Sequence, residues 1–139
     1  MLRSIVQSRR RRGAEAVEFA LTFPVFLLLI MGGIELSWFL GQNACMFLAL
    51  RTGARAGAVE RDADTVAAAQ AAAAAEWSKF GFGSTVTWTV TLVGANPNRR
   101  VNVTGNMTYA SLTGMFPYVS GMQLTRMTDM YMEDQYVNP

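Results

Sequence analysis

Histidine is absent from the 139-residue chain, and cysteine occurs once. A single cysteine cannot close a disulfide within the chain, and without histidine the usual zinc ligands and the base of a nucleophile relay are missing. Charged residues make up only 16% of the sequence, whereas hydrophobic residues make up 51%. We therefore expect no enzyme, no catalytic residue, no cofactor and no metal, and instead a lipid-facing or deeply buried segment.

The charges are divided unevenly along the chain. Residues 1–13 carry five arginines and no acid, a charge of +5, and residues 14–139 carry seven basic and ten acidic side chains, a charge of −3. The pI near 9.0 therefore reflects a basic tail, while the rest of the chain is slightly acidic. This distribution argues against nucleic-acid binding.

A long apolar run follows the basic tail. Residues 19–34 carry no charge, and after Glu35 the next charged residue is Arg51. A helix rises about 1.5 Å per residue, so about 20 residues cross a hydrocarbon core of roughly 30 Å. We therefore expect a transmembrane helix over residues 19–40, in which Pro24 causes a bend and not an end.

The arginines predict the direction of this span. Five of them precede the apolar run, and three lie just beyond it, at positions 51, 55 and 61. The more basic end of a span stays in the cytoplasm. We therefore expect a cytoplasmic N terminus, Trp38 at the outer interface, and an exported remainder.

The segment beyond the span is rich in alanine and leucine. Residues 41–60 continue the helix out of the bilayer, so that residues 14–60 form one transmembrane and stalk helix. The alanine run that follows predicts a second helix over residues 63–79, with Asp62 or Asp64 as its N-cap.

Period-two alternation begins after this second helix. Apolar residues alternate with threonine or asparagine near residues 84–93 and 99–110, and the residues between them are turn formers, which predicts a hairpin. Residues 122–133 predict a third strand. The alanine-rich helix is the available cover for the apolar face of this sheet. We therefore expect an exported α+β domain over residues 61–139, with about three antiparallel strands.

The junction between the basic tail and the apolar run carries a second signal. The sequence Gly13-Ala14-Glu15-Ala16-Val17-Glu18-Phe19 resembles the type III signal of type IV pilin-like proteins, in which a basic leader ends in glycine and glutamate is the fifth mature residue. That resemblance implies cleavage between Gly13 and Ala14 by a prepilin peptidase, an aspartic protease of the inner membrane. An ordinary secretory signal fits less well, because its apolar region is shorter and small residues follow it.

Motifs further along the chain make the resemblance specific to one family of pilin-like proteins. The resemblance is carried by the run Gly13–Leu21, Pro24, Gly33-Ile34-Glu35-Leu36 and Arg51-Thr52-Gly53-Ala54-Arg55. Over roughly residues 10–60 the chain is similar to the TadE-like pseudopilins of the tight-adherence (Tad) pilus. The resemblance implies a pilin-like fold and a structural minor pilin of the bacterial inner membrane. Its implied partners are the prepilin peptidase, other pilins or pseudopilins, the inner-membrane assembly platform and membrane lipid, with no small-molecule substrate.

Glu18 is unusual because it places a charge beside Phe19, at the start of a lipid-facing run. A charge at the bilayer centre costs about 2.5–3.5 kcal/mol on insertion scales, and less near an interface. Cleavage after Gly13 would leave a cationic amine at Ala14, four residues from Glu18 on the same helix face. We expect Glu18 to pair with such an amine, most usefully that of a neighbouring subunit; alternatively it only marks the edge of the span.

Three further charges border the expected span. Glu35 lies seventeen residues after Glu18, about 26 Å along a helix, so it either sits near headgroups or pairs with an arginine of a partner subunit. Arg51 and Arg55 share one helix face, where they meet solvent, headgroup phosphates or a carboxylate such as Glu60. The predicted assembly residues are therefore Glu18, Phe19, Pro24, Glu35, Arg51 and Arg55.

Two hypotheses remain for the whole chain. The first is a pseudopilin that is cut after Gly13 and assembled by helix packing into a Tad pilus for surface adhesion. The alternative is a permanent single-pass inner-membrane protein that keeps residues 1–13 and exports a binding domain. The mass of the mature chain distinguishes them, because only the first requires a start at Ala14.

Overall fold

The computed structural model describes residues 2–60, 64–95, 98–114 and 117–132, with the backbone alone for residues 2–12. Within these ranges the chain forms two helices and three strands: α1 (Leu2–Val59), α2 (Thr65–Ser78), β1 (Val86–Val93), β2 (Arg100–Thr108) and β3 (Gln123–Tyr131). This arrangement confirms the predicted α+β class, with a long N-terminal helix, a second helix and a small antiparallel sheet.

α1 continues through Pro24 without interruption. Proline has no amide hydrogen and removes one bond from the helix ladder, but the apolar residues on both sides keep the backbone helical. Hydroxyl groups in this stretch are satisfied by the helix itself: Thr22 donates to the backbone oxygen of Glu18 at 2.9 Å, and Ser37 donates to that of Gly33 at 2.8 Å. Polar side chains can therefore lie in the apolar segment without an unsatisfied donor.

The chain divides into two compact units between Ser37 and Trp38. The first, residues 1–37, is the N-terminal part of α1, whose large apolar side chains are mostly exposed. The second, residues 38–139, contains the rest of α1, α2 and the sheet, and is here called the head. It includes the C-terminal part of α1 because that part of the helix supplies a share of its core; the predicted start of an exported domain at residue 61 stays a prediction.

The sheet is an antiparallel meander in the order β1-β2-β3. Val103 of the central strand pairs with Val90 of β1 and Thr128 of β3. The central strand alternates fully, with Val101, Val103, Gly105 and Met107 buried and polar residues between them. β3 is an edge strand that buries only Leu124. Its weak alternation in the sequence follows from this shallow burial, because α2 packs against β1 and β2.

α2 packs against α1 through small residues. Its buried residues recur at every fourth position, Thr65, Ala69, Ala73 and Trp77, and so form one face. The facing positions on α1 are Gly53 and Gly57. A Cβ atom on Gly53 would lie 2.7 Å from the backbone oxygen of Ala69, and one on Gly57 would lie 2.9 Å from the Ala69 Cβ. The two helices therefore approach as closely as glycine permits.

The start of α2 differs from the predicted cap. Asp64 occupies the N-cap position, but its side chain makes no capping hydrogen bond. The hydroxyl of buried Thr65 instead donates to the backbone oxygen of Glu60 at 3.2 Å. Asp64 therefore occupies the predicted N-cap position but does not form the capping hydrogen bond. The hydrogen bond from the Thr65 hydroxyl stabilises this turn instead. Asp62 lies outside the described residues.

The core of the head lies between the two helices and the inner face of the sheet. It consists of Met46, Ala49, Leu50, Ala54, Ala69, Trp77, Val90, Val101, Val103, Met107, Tyr109, Leu124 and Met132. Trp88 lies over Gly105, its partner on β2, where a Cβ atom would approach the indole ring to 2.8 Å. Each large apolar side chain buried in this way stabilises the fold by about 1.5–3 kcal/mol. The C-terminal part of α1 is thereby bound to the sheet.

Candidate processing and assembly site

Residues 13–19 begin the apolar part of α1 and are exposed. A Cβ atom built on Gly13 meets no described atom within 4 Å. Ala14 and Glu18 lie one helical turn apart on the same face. The structure therefore presents the Gly13–Ala14 peptide bond in uncrowded surroundings, with the Glu18 carboxylate one turn beyond it.

Glu18 stands at the border of an apolar aromatic surface. The ring of Phe19, next to it in sequence, is 65% exposed and stacks on Phe23 with centroids 5.2 Å apart. The backbone oxygen of Glu18 accepts the hydroxyl of Thr22. Glu18 is thus the last charge before a surface that carries no charged residue over the next four turns.

This surface belongs to a stretch of α1 that is long and apolar enough to cross a membrane. Within the described residues, that stretch is Gly13–Val59, its most apolar window has a mean hydropathy of 2.1, and none of that window is buried by the chain. A signal sequence near the N terminus shares this length and composition with a membrane span. Apolar side chains exposed over such a length need lipid or other helices to cover them.

Glu35 is placed differently from Glu18. It is only 5% exposed, and it takes part in an interaction within the chain. A buried carboxylate is stable only when it is paired or hydrogen-bonded. The structure therefore places Glu35 among buried side chains, and the two roles expected for it, at the headgroups or paired with an arginine of a partner subunit, stay predictions.

Arg51 and Arg55 are exposed on the outer face of α1 in the head. The guanidinium carbon of Arg51 lies 5.1 Å from the ring centroid of Phe47, a cation–π contact. Leu40, Phe47 and Leu48 are exposed on the same side of the helix. The outer face of α1 is therefore apolar as far as Leu48 and basic from Arg51 onward, which suits contact with phosphates or carboxylates.

Sequence reasoning missed two polar residues of α1 next to the expected span. Asn43 accepts hydrogen bonds from the guanidinium of Arg126 on β3 and donates to the backbone oxygen of Phe39 at 3.0 Å. Gln42 is 1% exposed, and its Oε1 atom has no hydrogen-bond partner among the described residues. No local sequence pattern predicts the contact between Asn43 and Arg126, because the two residues lie 83 positions apart.

The single cysteine offers little chemistry. Cys45 is half-buried, and burial raises the pKa of its thiol. A raised pKa leaves less of the nucleophilic thiolate at neutral pH. In the part of the chain that the structure describes, no group of three His, Cys, Asp or Glu residues is placed to hold a metal ion.

Comparison with known protein families gives a match to the family described as TadE-like protein, over residues 13–55. The match begins at Gly13, includes Glu18, Pro24 and Glu35, and ends at Arg55. It confirms the resemblance to TadE-like proteins that the motifs indicated, for just under a third of the chain. It does not extend to α2 or the sheet. Comparisons with curated proteins and with solved structures found no match.

Proposed function

We propose that this chain is a structural minor pilin, or pseudopilin, which a prepilin peptidase cuts between Gly13 and Ala14 and which then takes part in assembly of a Tad pilus for surface adhesion. The main support is that the TadE-like match begins at Gly13, the residue at which the basic leader ends. The exposed apolar helix that follows fits a subunit that passes from lipid into a bundle of similar helices.

The first stage of the proposed pathway is insertion into the bacterial inner membrane. The five arginines of residues 1–13 hold the N terminus in the cytoplasm, and the head is exported. Cleavage after Gly13 then removes all five. It creates an amine at Ala14 that is cationic at neutral pH, since α-amino groups titrate near about 7.7–8.0.

The second stage is assembly, in which other helices replace lipid around the apolar part of α1. Glu18 then loses its contact with the headgroup region and needs a cation. The amine of Ala14 in a neighbouring subunit supplies one only when the two helices are in a particular register. A buried charge that finds its partner in one arrangement alone favours that arrangement. Arg51 and Arg55 are placed to contact headgroup phosphates first and carboxylates of another pilin afterwards.

A cleavage-site variant tests this function. A strain that lacks the chain is complemented with wild type, with the variant Gly13→Val, or with the control variant Gln7→Val, which keeps Gly13. The protein content of sheared surface fibres is then measured for each strain. Because a Cβ atom at Gly13 meets no described atom within 4 Å, Gly13→Val should leave the fold of the head intact. We expect uncut chain and no fibres from Gly13→Val, and normal fibres from the leader control Gln7→Val.

The alternative function predicts a different outcome. A permanent single-pass inner-membrane protein with an exported binding head needs no cleavage, so Gly13→Val would then restore the wild-type phenotype. Full complementation by an uncut chain would contradict the pilin function and favour the alternative.

A further inference from the structure

Four aromatic side chains gather where the head begins on α1: Trp38, Trp77, Phe80 and Phe82, here called the aromatic cluster. The rings of Trp38 and Phe82 meet edge to face with centroids 5.0 Å apart, and Trp77 lies 5.4 Å from Phe82. The indole N–H of Trp77 donates to the backbone oxygen of Ser84 at 2.9 Å. These contacts attach the connection between α2 and β1 to the side of α1.

The cluster is only partly covered by the head. Gly81 and Gly83 flank Phe82 with φ angles of +66° and +70°, a backbone conformation that glycine adopts at no steric cost. The chain thereby turns on both sides of Phe82, and Phe80 also reaches the cluster, 6.3 Å from Phe82. Trp77 is buried, whereas the other three rings keep part of their surface exposed.

Trp38 determines the level of the aromatic cluster along α1. It lies nineteen residues after Phe19, which is about 28 Å at the helical rise of 1.5 Å per residue. The hydrocarbon core of a bilayer is about 30 Å thick. In a chain that spans the membrane from Phe19, Trp38 reaches the outer headgroup region, and Phe82, in contact with it, lies at the same level.

We propose that the aromatic cluster, with the loop of residues 80–83, lies in the outer headgroup region of the bilayer and holds the head against the membrane surface before assembly. This inference rests on the membrane span of the proposed function. Aromatic rings, tryptophan above all, concentrate at the membrane–water interface, where an apolar ring and a polar edge are both accommodated. Three partly exposed rings at one level of a membrane helix match that environment.

Charge around the loop agrees with a lipid surface. The side chain of Lys79, next to Phe80, is 66% exposed and pairs with Glu76 at 2.6 Å. Because this pair carries no net charge, it does not repel an anionic lipid surface from the rings beside it. Leu40, two residues beyond Trp38, is also exposed, so the apolar surface of α1 continues past the level of the cluster.

A pair of matched labels tests the depth of the loop. In full-length chain carrying Cys45→Ser, a fluorescent label is placed at Thr85→Cys, beside the loop, or at Thr91→Cys, on the outer face of β1. Both threonines are exposed, and six residues of strand separate them by about 20 Å. The chain is reconstituted into vesicles of phosphatidylethanolamine and phosphatidylglycerol, with or without lipids that carry a nitroxide on the headgroup.

We expect the Thr85 label to shift its emission to the blue and to lose fluorescence to the headgroup nitroxide, and the Thr91 label to do neither. Adding Phe82→Ala should reduce the quenching at Thr85, because the loop then loses its contact with Trp38. Equal quenching at Thr85 and Thr91 would overturn the proposal. Energy transfer between Thr85 labels on different chains, without lipid quenching, would assign the cluster to an interface between copies and overturn it as well.

A third label separates this inference from the membrane span itself. Phe26 is exposed in the middle of the apolar stretch, so a label at Phe26→Cys should be quenched by nitroxides deep in the acyl chains. Deep quenching at Phe26 with equal signals at Thr85 and Thr91 contradicts only the position of the aromatic cluster. A Phe26 label that no acyl-chain nitroxide reaches contradicts the span, and with it the proposed function.

Discussion

The guanidinium of Arg126 on β3 donates two hydrogen bonds to the Oδ1 atom of Asn43 on α1, from Nε at 3.2 Å and from Nη2 at 3.1 Å. The contact joins the edge of the sheet to the helix across 83 residues of sequence. β3 itself buries only Leu124. The hydrogen bonds between Asn43 and Arg126 therefore connect β3 directly to α1.

Removal of this contact should loosen β3. We expect Arg126→Met and Asn43→Ala each to lower the free energy of unfolding of the head by about 0.5–1.5 kcal/mol, the usual net contribution of a hydrogen bond. The losses should overlap in the double variant because both remove the same interaction. Urea unfolding of the full chain in detergent, followed by tryptophan fluorescence, gives the three values. Fully additive losses would show that the two side chains are not coupled.

Gly53 tests the close contact between α1 and α2. Replacing glycine by alanine inside a helix normally stabilises it by about 1 kcal/mol. At Gly53 the new Cβ atom would lie 2.7 Å from the backbone oxygen of Ala69, so we expect Gly53→Ala to destabilise the head by about 1–3 kcal/mol. The control is Gly41→Ala in the same helix, whose Cβ meets no described atom within 4 Å. Equal effects of the two substitutions on urea unfolding would argue against the close contact.

The secondary structure of this chain could be predicted because its signals are local. The hairpin was expected near residues 84–93 and 99–110, and its strands are Val86–Val93 and Arg100–Thr108. Alternation is visible in β1 and β2 because one face of each is covered by the head. It fades in β3, which buries only Leu124 because α2 packs against the other two strands.

The contacts between distant segments could not be predicted. A glycine such as Gly53 predicts a weak helix unless the residue packed against it is known. That residue, Ala69, lies in a run composed mostly of alanine, so the sequence does not single it out. Glu35 and Glu18 are both acids next to apolar residues, and no local signal tells that one is buried and the other exposed. The proposed processing site, by contrast, is a motif of consecutive residues and could be predicted without the fold.

Cys45 should react slowly while the head is folded. Burial raises the pKa of its thiol, so the thiolate fraction at neutral pH is smaller than that of an exposed cysteine. Because the folded-state pKa lies above the unfolded one, the protonated thiol contributes to stability at neutral pH, and this contribution is lost as the pH rises through the folded-state pKa. Alkylation by iodoacetamide should therefore be slower for folded than for urea-unfolded chain. Equal rates would contradict the burial of this side chain.

Glu18 is expected to act in assembly and not in cleavage. Glu18→Ala should be cut after Gly13 as wild type is, yet remain in the membrane fraction, because the apolar helix has lost the carboxylate that pairs with a neighbouring amine. Glu15→Ala is the matched control, since it removes the same charge one turn nearer the cut, outside the apolar run. The ratio of chain in sheared fibres to chain in membranes measures the effect. Normal incorporation of Glu18→Ala would count against the pairing.

The mass of the mature chain tests cleavage itself. The chain is extracted from membranes of cells that contain either active or inactivated prepilin peptidase, and its intact mass is measured. We predict the mass of residues 14–139 where the peptidase is active and that of residues 1–139 where it is inactivated. Full-length chain in cells with active peptidase would contradict the proposed maturation and identify residues 1–13 as a permanent part of a membrane anchor.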